Sequence, residues 1–138
     1  MSKPSYASVK VGDEIPSLST EPITRHTLAL YCGASGDHNP IHVDIDYAKE
    51  SGLDDVIAHG MLSMAYLGRL VTNWVSQESV RGLKTRFTAM TLVGDTVTCR
   101  GKITEKFTES GENRVRLELT AETPREQSLV GEAVIALD

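Results

Sequence analysis

An acid and an imidazole stand five positions apart in the segment Ser35–His42, a spacing that could serve one acid–base reaction. Asp37 and His42 cannot meet on a regular element. A strand places residues at odd spacing on opposite faces, and a helix leaves residues five apart roughly 140° from each other around its axis. The chain must therefore turn between them. Two such groups bonded to one water could activate that water and deliver a proton, which is general acid–base catalysis.

The residues around this pair favour a turn. Gly33 and Gly36 give the backbone freedom before it, while Pro40 fixes its own φ and pushes Asn39 toward an extended conformation. A rigid irregular loop that presents an acid and an imidazole is a common setting for catalysis. An Asx-type turn that only caps the next helix explains the same residues, so the residue types alone leave both interpretations open.

The composition argues against several classes of function. The 138 residues are enough for one domain, and 40% apolar with 24% charged residues is ordinary for a soluble globular protein. A net charge of −5 without a basic stripe argues against a nucleic-acid partner. No run approaches the roughly 20 apolar residues of a membrane span, and residues 1–5 hold no apolar signal region, so we expect a cytoplasmic protein without a membrane partner. Cys32 and Cys99 match no metal spacing and are predicted to be buried thiols.

The first half of the chain predicts helices. One is expected over Arg25–Cys32, with Thr24 as its N-cap and Gly33 as its stop, and a short second helix is expected to end at Gly52. The third, Gly60–Val75, is the most apolar element of the chain. Its apolar residues occur on nearly every side, which predicts a helix enclosed by protein.

The remaining segments predict β-strands. A short strand and turn are expected over residues 9–16, and four antiparallel strands after the third helix, with a hairpin signal at Gly94 and a second turn at Ser110–Asn113. The last strand, Leu129–Leu137, is apolar on both faces apart from one glutamate, so it is predicted to be central in its sheet. This order indicates an α+β protein whose antiparallel sheet curls around the third helix.

Two blocks of sequence share a pattern with a known family. The first is Ser35–His42, with Tyr31 before it and Ala48 after it, and the second is Ala58–Met61 downstream. Together they resemble the signature of the MaoC-like, or R-specific, enoyl-CoA hydratases. The resemblance extends from about Val9 to the C-terminus, and the Asp-x-Asn-Pro-hydrophobic-His core is a specific motif.

The resemblance implies a single hot-dog domain over residues 1–138, with an antiparallel sheet wrapped around a long central helix. It implies reversible hydration of trans-2-enoyl-CoA to (R)-3-hydroxyacyl-CoA, a reaction of fatty acid metabolism that uses neither a cofactor nor a metal. The expected partners are an acyl-CoA or acyl-carrier-protein thioester and further copies of the same chain, in a homodimer or a higher homo-oligomer.

This reaction assigns roles to three residues. His42 is the expected base toward water, and Asp37 is its partner and the proton donor to C2, although coupled groups share their protons. Gly60 begins the third helix, so its N–H has no acceptor inside the helix and the helix dipole adds positive potential there. An oxyanion donor for the thioester is therefore expected at Gly60, and a tight turn into the helix is the alternative explanation.

Substrate-binding residues are expected near the start of the same helix. If the thioester oxygen lies at its first turn, the acyl tail runs beside that turn, and the candidate wall residues are Leu62, Ser63, Tyr66 and Leu67. Asn39 is grouped with them because it lies between the acid and the imidazole. It is expected to fix the loop through hydrogen bonds of its side chain.

A metal site could be imagined from Asp37, His38, His42 and His59. No paired ligand spacing supports one, so no metal is predicted. His59 is expected to pack or to hydrogen-bond beside the helix start.

Three other functions compete with R-specific hydration. An acyl-carrier-protein-linked dehydratase subunit would use the same chemistry, and such subunits can pair with a different hot-dog chain. A hot-dog acyl-CoA thioesterase would need a carboxylate or water arrangement suited to acyl transfer, which the Asp37 and His42 loop does not resemble. A non-catalytic acyl-thioester-binding subunit would not require Asp37, His42 and Gly60 together.

Overall fold

The computed structural model describes residues 3–138, so residues 1 and 2 of the predicted domain lie outside the described residues. Along the chain the elements are β1 (Leu18–Ser19), α1 (Arg25–Ser35), a 3-10 turn (Pro40–His42), α2 (Ile45–Glu50), α3 (Gly60–Trp74), a second 3-10 turn (Gln77–Ser79), β2 (Val80–Phe87), β3 (Thr98–Glu109), β4 (Glu112–Glu122) and β5 (Gln127–Ala136). Within residues 3–138, no helix is both long and apolar enough to cross a bilayer.

The five strands form one antiparallel sheet in the order β1-β3-β4-β5-β2. β5 lies between β4 and β2, which confirms that the last strand is central. β1 was not predicted as a strand. It adds two residues to the edge formed by β3, with Leu18 opposite Cys99.

The sheet curls over α3, which contacts β2, β3, β4 and β5. Leu67, Leu70 and Val71 of the helix share one core with the inward-facing residues of β3 to β5. This arrangement confirms the predicted α+β hot-dog fold. The helix is not enclosed on every side, however, because the sheet covers only part of its circumference and leaves Met61 and Ala65 exposed.

Two local predictions are wrong in part, because the turns at Gly12 and Gly94 form but the predicted strand and hairpin do not. Residues 9–16 hold only an isolated pairing of Glu14 with Lys102, since the chain turns at Gly12 and inserts Val9 and Ile15 into the core instead of continuing in a strand. Gly94 does turn, at a φ of 91°, but it joins no hairpin because β2 and β3 are not neighbours in the sheet.

The turn predicted after β3 is confirmed. Ser110 and Gly111 adopt positive φ values of 51° and 75°, and they join β3 to β4 in a tight hairpin. Two successive positive φ values are typical of the hairpin turns whose twist matches the flanking strands.

Candidate active site

The acid and imidazole lie on the connection between α1 and α2. Thr24 caps α1 as predicted, by accepting a hydrogen bond from the Thr27 N–H. The helix passes through Gly33, the predicted stop, and ends at Gly36, whose φ of 77° lets its N–H reach the Cys32 carbonyl. Gly36 is the residue that ends the helix because it adopts the left-handed conformation, whereas Gly33 stays helical.

Short polar side chains fold the connection. The Asp37 carboxylate accepts a hydrogen bond from the Asn39 N–H at 3.3 Å, and the Asn39 side chain accepts one from the Ile41 N–H at 3.1 Å. Pro40 opens the 3-10 turn that follows. The Asx-type turns considered from the sequence are therefore present, and Asn39 fixes the loop as expected. These turns do not replace a catalytic arrangement, since they bring the acid and the imidazole together.

Asp37 and His42 converge across the loop. The His42 Nε2 lies 3.8 Å from the Asp37 Oδ2, with the imidazole side chain 10% and the carboxylate side chain 47% exposed. The separation is too long for a direct hydrogen bond and short enough for one water to bond to both groups. The His42 Nδ1 donates to the Ile57 carbonyl at 2.8 Å, so Nε2 of the neutral ring holds the free lone pair that faces Asp37.

His59 completes a layer of rings behind this pair. Only 1% exposed, it stacks on His42 with ring centroids 3.7 Å apart and 23° between the planes. Tyr31 packs edge-on against the same His59 ring, with centroids 4.7 Å apart. Its Nε2 lies 3.3 Å from the Asp37 carbonyl oxygen and 3.4 Å from the Cys32 Sγ. The expectation that His59 packs and hydrogen-bonds is confirmed, but its contact with both candidate catalytic residues was not predicted.

Burial shapes the charge of these rings. The pKa of His59 is lowered, first by burial and then by the nearby charge of His42. The pKa of Tyr31 is raised, again first by burial and then by the charge of Asp37. Both side chains are therefore neutral near pH 7.

Asp37, His42 and His59 each offer one potential metal-ligand atom, and these three atoms lie within 4.8 Å of one another. The two imidazoles are nearly parallel, however, so their in-plane lone pairs cannot both point at one ion in a tetrahedral site. This geometry suits an acid–base pair better than a metal centre.

Gly60 begins α3 directly after His59, which places it beside the stacked rings. As the first helical residue, its N–H has no acceptor inside the helix, and among residues 3–138 it has no other backbone partner. The ring of Phe87 packs against this glycine so closely that a Cβ there would lie 2.9 Å from the ring atoms Cδ1 and Cε1. The position therefore combines a free donor with a close approach that a side chain would obstruct.

An exposed apolar rim surrounds this point. The rim consists of Met61, Phe87, Met90 and Leu92, all of which are exposed. A hydrogen bond from the Ala58 N–H to the Thr91 carbonyl ties the segment that carries Met90 and Leu92 to the start of α3. The rim was missed from the sequence, because Met61 was assigned to an enclosed helix, and Phe87 and Met90 were assigned to the two sides of one strand.

The predicted wall residues occupy different environments. Leu62 and Ser63 are buried beside the start of α3, and Leu67 is fully buried in the core. Tyr66 is partly buried and lines a cleft of about 290 Å³ with Leu18, Ile23 and Arg69, which does not include Asp37, His42 or Gly60. The assignment of these four side chains to an acyl-binding wall stays a prediction.

Comparisons with known proteins agree with these findings. The model of the MaoC like domain matches residues 8–123. The (R)-specific enoyl-CoA hydratase of Rhodospirillum rubrum is 31% identical over 72% of this chain and 69% of its own length. The structure of R-hydratase PhaJ1 from Pseudomonas aeruginosa superimposes with a TM-score of 0.86 at 30% identity, covering 97% of this chain and 86% of that one. Fatty acid synthase subunit beta of Saccharomyces cerevisiae is 36% identical over 61% of this chain, a match that spans only 4% of that much longer relative.

Proposed function

This chain belongs to the MaoC-like domain family, and from that premise we propose that it is a hydro-lyase that hydrates 2-enoyl-CoA to (R)-3-hydroxyacyl-CoA and catalyses the reverse dehydration. The observation that carries the proposal is the convergence of Asp37 and His42 at 3.8 Å on one rigid loop. The R configuration is supported by the relative from Rhodospirillum rubrum, which is named as (R)-specific.

Hydration adds the hydroxyl group of one water to C3 of the substrate and a proton to C2. In the proposed mechanism His42 Nε2 takes a proton from the water as its oxygen bonds to C3, and Asp37 delivers a proton to C2. The proton that His42 takes from the water passes to Asp37 and from Asp37 to C2, so both groups end the reaction in the protonation states in which they began it. Groups placed in this way contribute roughly 10²–10⁴-fold to a rate.

The charge that develops on the thioester oxygen needs a donor that is already in place. The Gly60 N–H is unpaired, lies at the positive end of α3 and follows His59, whose ring stacks on the proposed base. In the proposed site it binds the thioester oxygen as that oxygen becomes an enolate, which is the function of an oxyanion hole.

A second candidate function differs only in the carrier. A relative named as a fatty acid synthase subunit favours an acyl-carrier-protein-linked dehydratase, since the same acid–base pair would serve either carrier. The match to that relative covers a smaller part of this chain than the match to the R-specific hydratase does, so CoA is the proposed carrier.

We further propose that the enzyme is at least a dimer. β2 is an eight-residue edge strand, and an exposed edge of this length is usually paired or covered. The apolar rim continues beside this edge at Phe87, so a second copy that covers the edge would also shelter the entrance to the site.

The direct test is purified protein mixed with crotonyl-CoA, followed at the enoyl-thioester absorbance. We expect hydration to an R product, and a loss of at least about 10²-fold in kcat/KM for Asp37→Ala and for His42→Ala. His26→Ala is the matched control, because His26 is exposed on α1 and touches none of the rings. Circular dichroism verifies the fold of each variant, which matters most for the buried His42.

Three results would contradict the proposal. The first is a wild-type protein that hydrates neither crotonyl-CoA nor longer enoyl-CoAs. The second is near-normal turnover by a folded Asp37 or His42 variant, and the third is an S product on chiral chromatography. Release of free thiol from acyl-CoA without hydration would instead favour a thioesterase.

A further inference from the structure

His59 has no role in the proposed reaction, yet it touches both groups that have one. Its ring face covers His42 at 3.7 Å, and its Nε2 approaches the main chain of Asp37 at 3.3 Å. A histidine that merely filled space behind the site would not need both contacts at once.

The hydrogen-bond partners of His59 determine its tautomer. A carbonyl oxygen can only accept, so the contact with the Asp37 carbonyl requires the proton on Nε2, and the Cys32 Sγ at 3.4 Å then lies beside the same N–H as an acceptor. The Nδ1 atom is then bare, and it is buried with no hydrogen-bond partner in the described part of the chain. Buried polar atoms without a partner are rare and call for a specific explanation. The unpartnered Nδ1 is explained if the function of His59 depends only on its Nε2–H and on the face of its ring.

We propose that His59 is the positioning residue for both catalytic groups, orienting the His42 ring through its face and anchoring the Asp37 loop through its Nε2–H. This inference rests on the proposed hydratase function and assigns His59 no contact with substrate. The two contacts fix the His42 Nε2 and the Asp37 carboxylate relative to each other, although the carboxylate itself is half exposed.

The role requires a ring that stays uncharged during turnover. The groups that face His59 are Tyr31 and Cys32 from α1, Asp37 from the loop and His42 from the 3-10 turn. Burial and the adjacent His42 both oppose protonation of His59, as the lowered pKa of this ring shows. When His42 takes a proton from water, the charge therefore stays on the ring that faces Asp37.

Three substitutions separate the two contacts. His59→Phe keeps a flat ring that can stack but donates no hydrogen bond, His59→Gln keeps a donor but has no ring, and His59→Ala keeps neither. We expect kcat to fall about 10-fold for the Phe and Gln variants and about 100-fold for the Ala variant, while KM stays within about threefold, because misplacement by about 1 Å can cost ~10²-fold. The partial recovery from Ala to Phe or Gln is the signature of positioning. His26→Ala should match the wild type.

A second measurement does not depend on the variants. Nitrogen-15 NMR of the wild-type protein should show His59 as the neutral tautomer with its proton on Nε2. A proton on Nδ1 would overturn the anchoring of Asp37. That outcome would overturn the inference even where a variant fails to fold.

The kinetic outcomes are equally clear. The inference would be overturned if folded His59 variants kept the wild-type kcat. It would also be overturned if the variants lost thermal stability but each folded molecule turned over normally, because His59 would then only fill space. Wild-type protein without hydratase activity would instead overturn the proposed function, and the inference would fall with it.

Discussion

Gly60→Ala should separate catalysis from stability at one position. The new Cβ would lie 2.9 Å from two ring atoms of Phe87, which is closer than two carbon atoms can approach. The Phe87 side chain is 50% exposed at the end of an edge strand, so its ring can rotate away at small cost. Alanine also forms helices better than glycine, by about 1 kcal/mol in a helix interior. The two effects oppose each other, and we expect the free energy of unfolding to change by less than about 1 kcal/mol.

The activity should change much more. Removal of an oxyanion donor costs about 2.7–4 kcal/mol in other enzymes, and this sets the upper limit. Alanine retains the N–H and adds a methyl group beside it, so the thioester is displaced while the donor remains. We therefore expect a loss of about 1.4–2.7 kcal/mol of transition-state stabilisation, which is roughly 10–100-fold in kcat/KM.

Gly68→Ala is the matched control on the same helix. Its Cβ would lie 3.8 Å from the Leu83 Cδ2, an ordinary van der Waals contact. We expect this variant to gain about 0.4–1 kcal/mol in stability and to keep wild-type activity. The assay combines urea denaturation with steady-state hydration of crotonyl-CoA for both variants and for Gly60→Ala/Phe87→Ala, in which the contact with the ring is removed but the activity should stay low. A Gly60→Ala enzyme within twofold of wild-type kcat/KM would refute the placement of the thioester oxygen at this N–H.

Three further predictions concern the acyl wall, an ion pair and the assembly. Tyr66→Ala or Leu67→Ala should shift kcat/KM across C4 to C12 enoyl-CoAs toward longer chains, while C4 hydration stays measurable. Leu67→Ala should in addition lower the free energy of unfolding in urea by about 2–5 kcal/mol, because that side chain is fully buried. An unchanged chain-length profile in both variants would place the acyl tail elsewhere. Arg125 hydrogen-bonds the buried Asp95 and holds its pKa below the usual range, so this stabilisation is present above the unfolded pKa of about 3.9 and is lost as pH falls through the folded value. Arg125→Met should therefore destabilise the fold at pH 7 and progressively less below pH 4, and an equal loss of stability at both pH values would contradict this account. Light scattering at micromolar concentration should give at least twice the 15.0 kDa of one chain, and a monomer mass would contradict the dimer.

The convergence of Asp37 and His42 could be predicted from the sequence because the turn between them depends on neighbouring residues, whereas their proposed catalytic roles came from the resemblance to a family. The side chains of Asp37 and Asn39 fold the loop through bonds to backbone N–H groups only two residues ahead, so the residue types contain the necessary information. His59 could not be placed in the same way. Its stacking on His42 depends on how the residue before α3 lies against the 3-10 turn that holds His42, and local spacing does not report that contact.

Some features of the fold could likewise be predicted from the sequence, and others could not. The hydrophobicity of α3, the alternation in β2 to β4 and the apolar last strand predicted the architecture, since these patterns reflect burial over many residues. Predictions that depended on one short signal were less reliable. Gly94 does turn, but Asp95 directs the connection by bonding the Leu92 N–H and Arg125, and no hairpin forms. The α3 helix was expected to be covered all round because its composition does not show how far a five-stranded sheet can reach.

The order of strands in the sheet also determines when this domain can fold. β2 emerges from the ribosome immediately after α3, but its pairing partner is β5. Phe87 therefore cannot pair with Leu129, nor Val80 with Ile135, until all of β3 and β4 has been synthesised. The β3–β4 hairpin can form early through its local turn, whereas the sheet closes over α3 only when β5 inserts between β4 and β2. Such non-local pairing raises the contact order and slows folding. Until β5 arrives, nascent chains expose the apolar face of α3, and chaperones that shield hydrophobic segments would act on this protein at that stage.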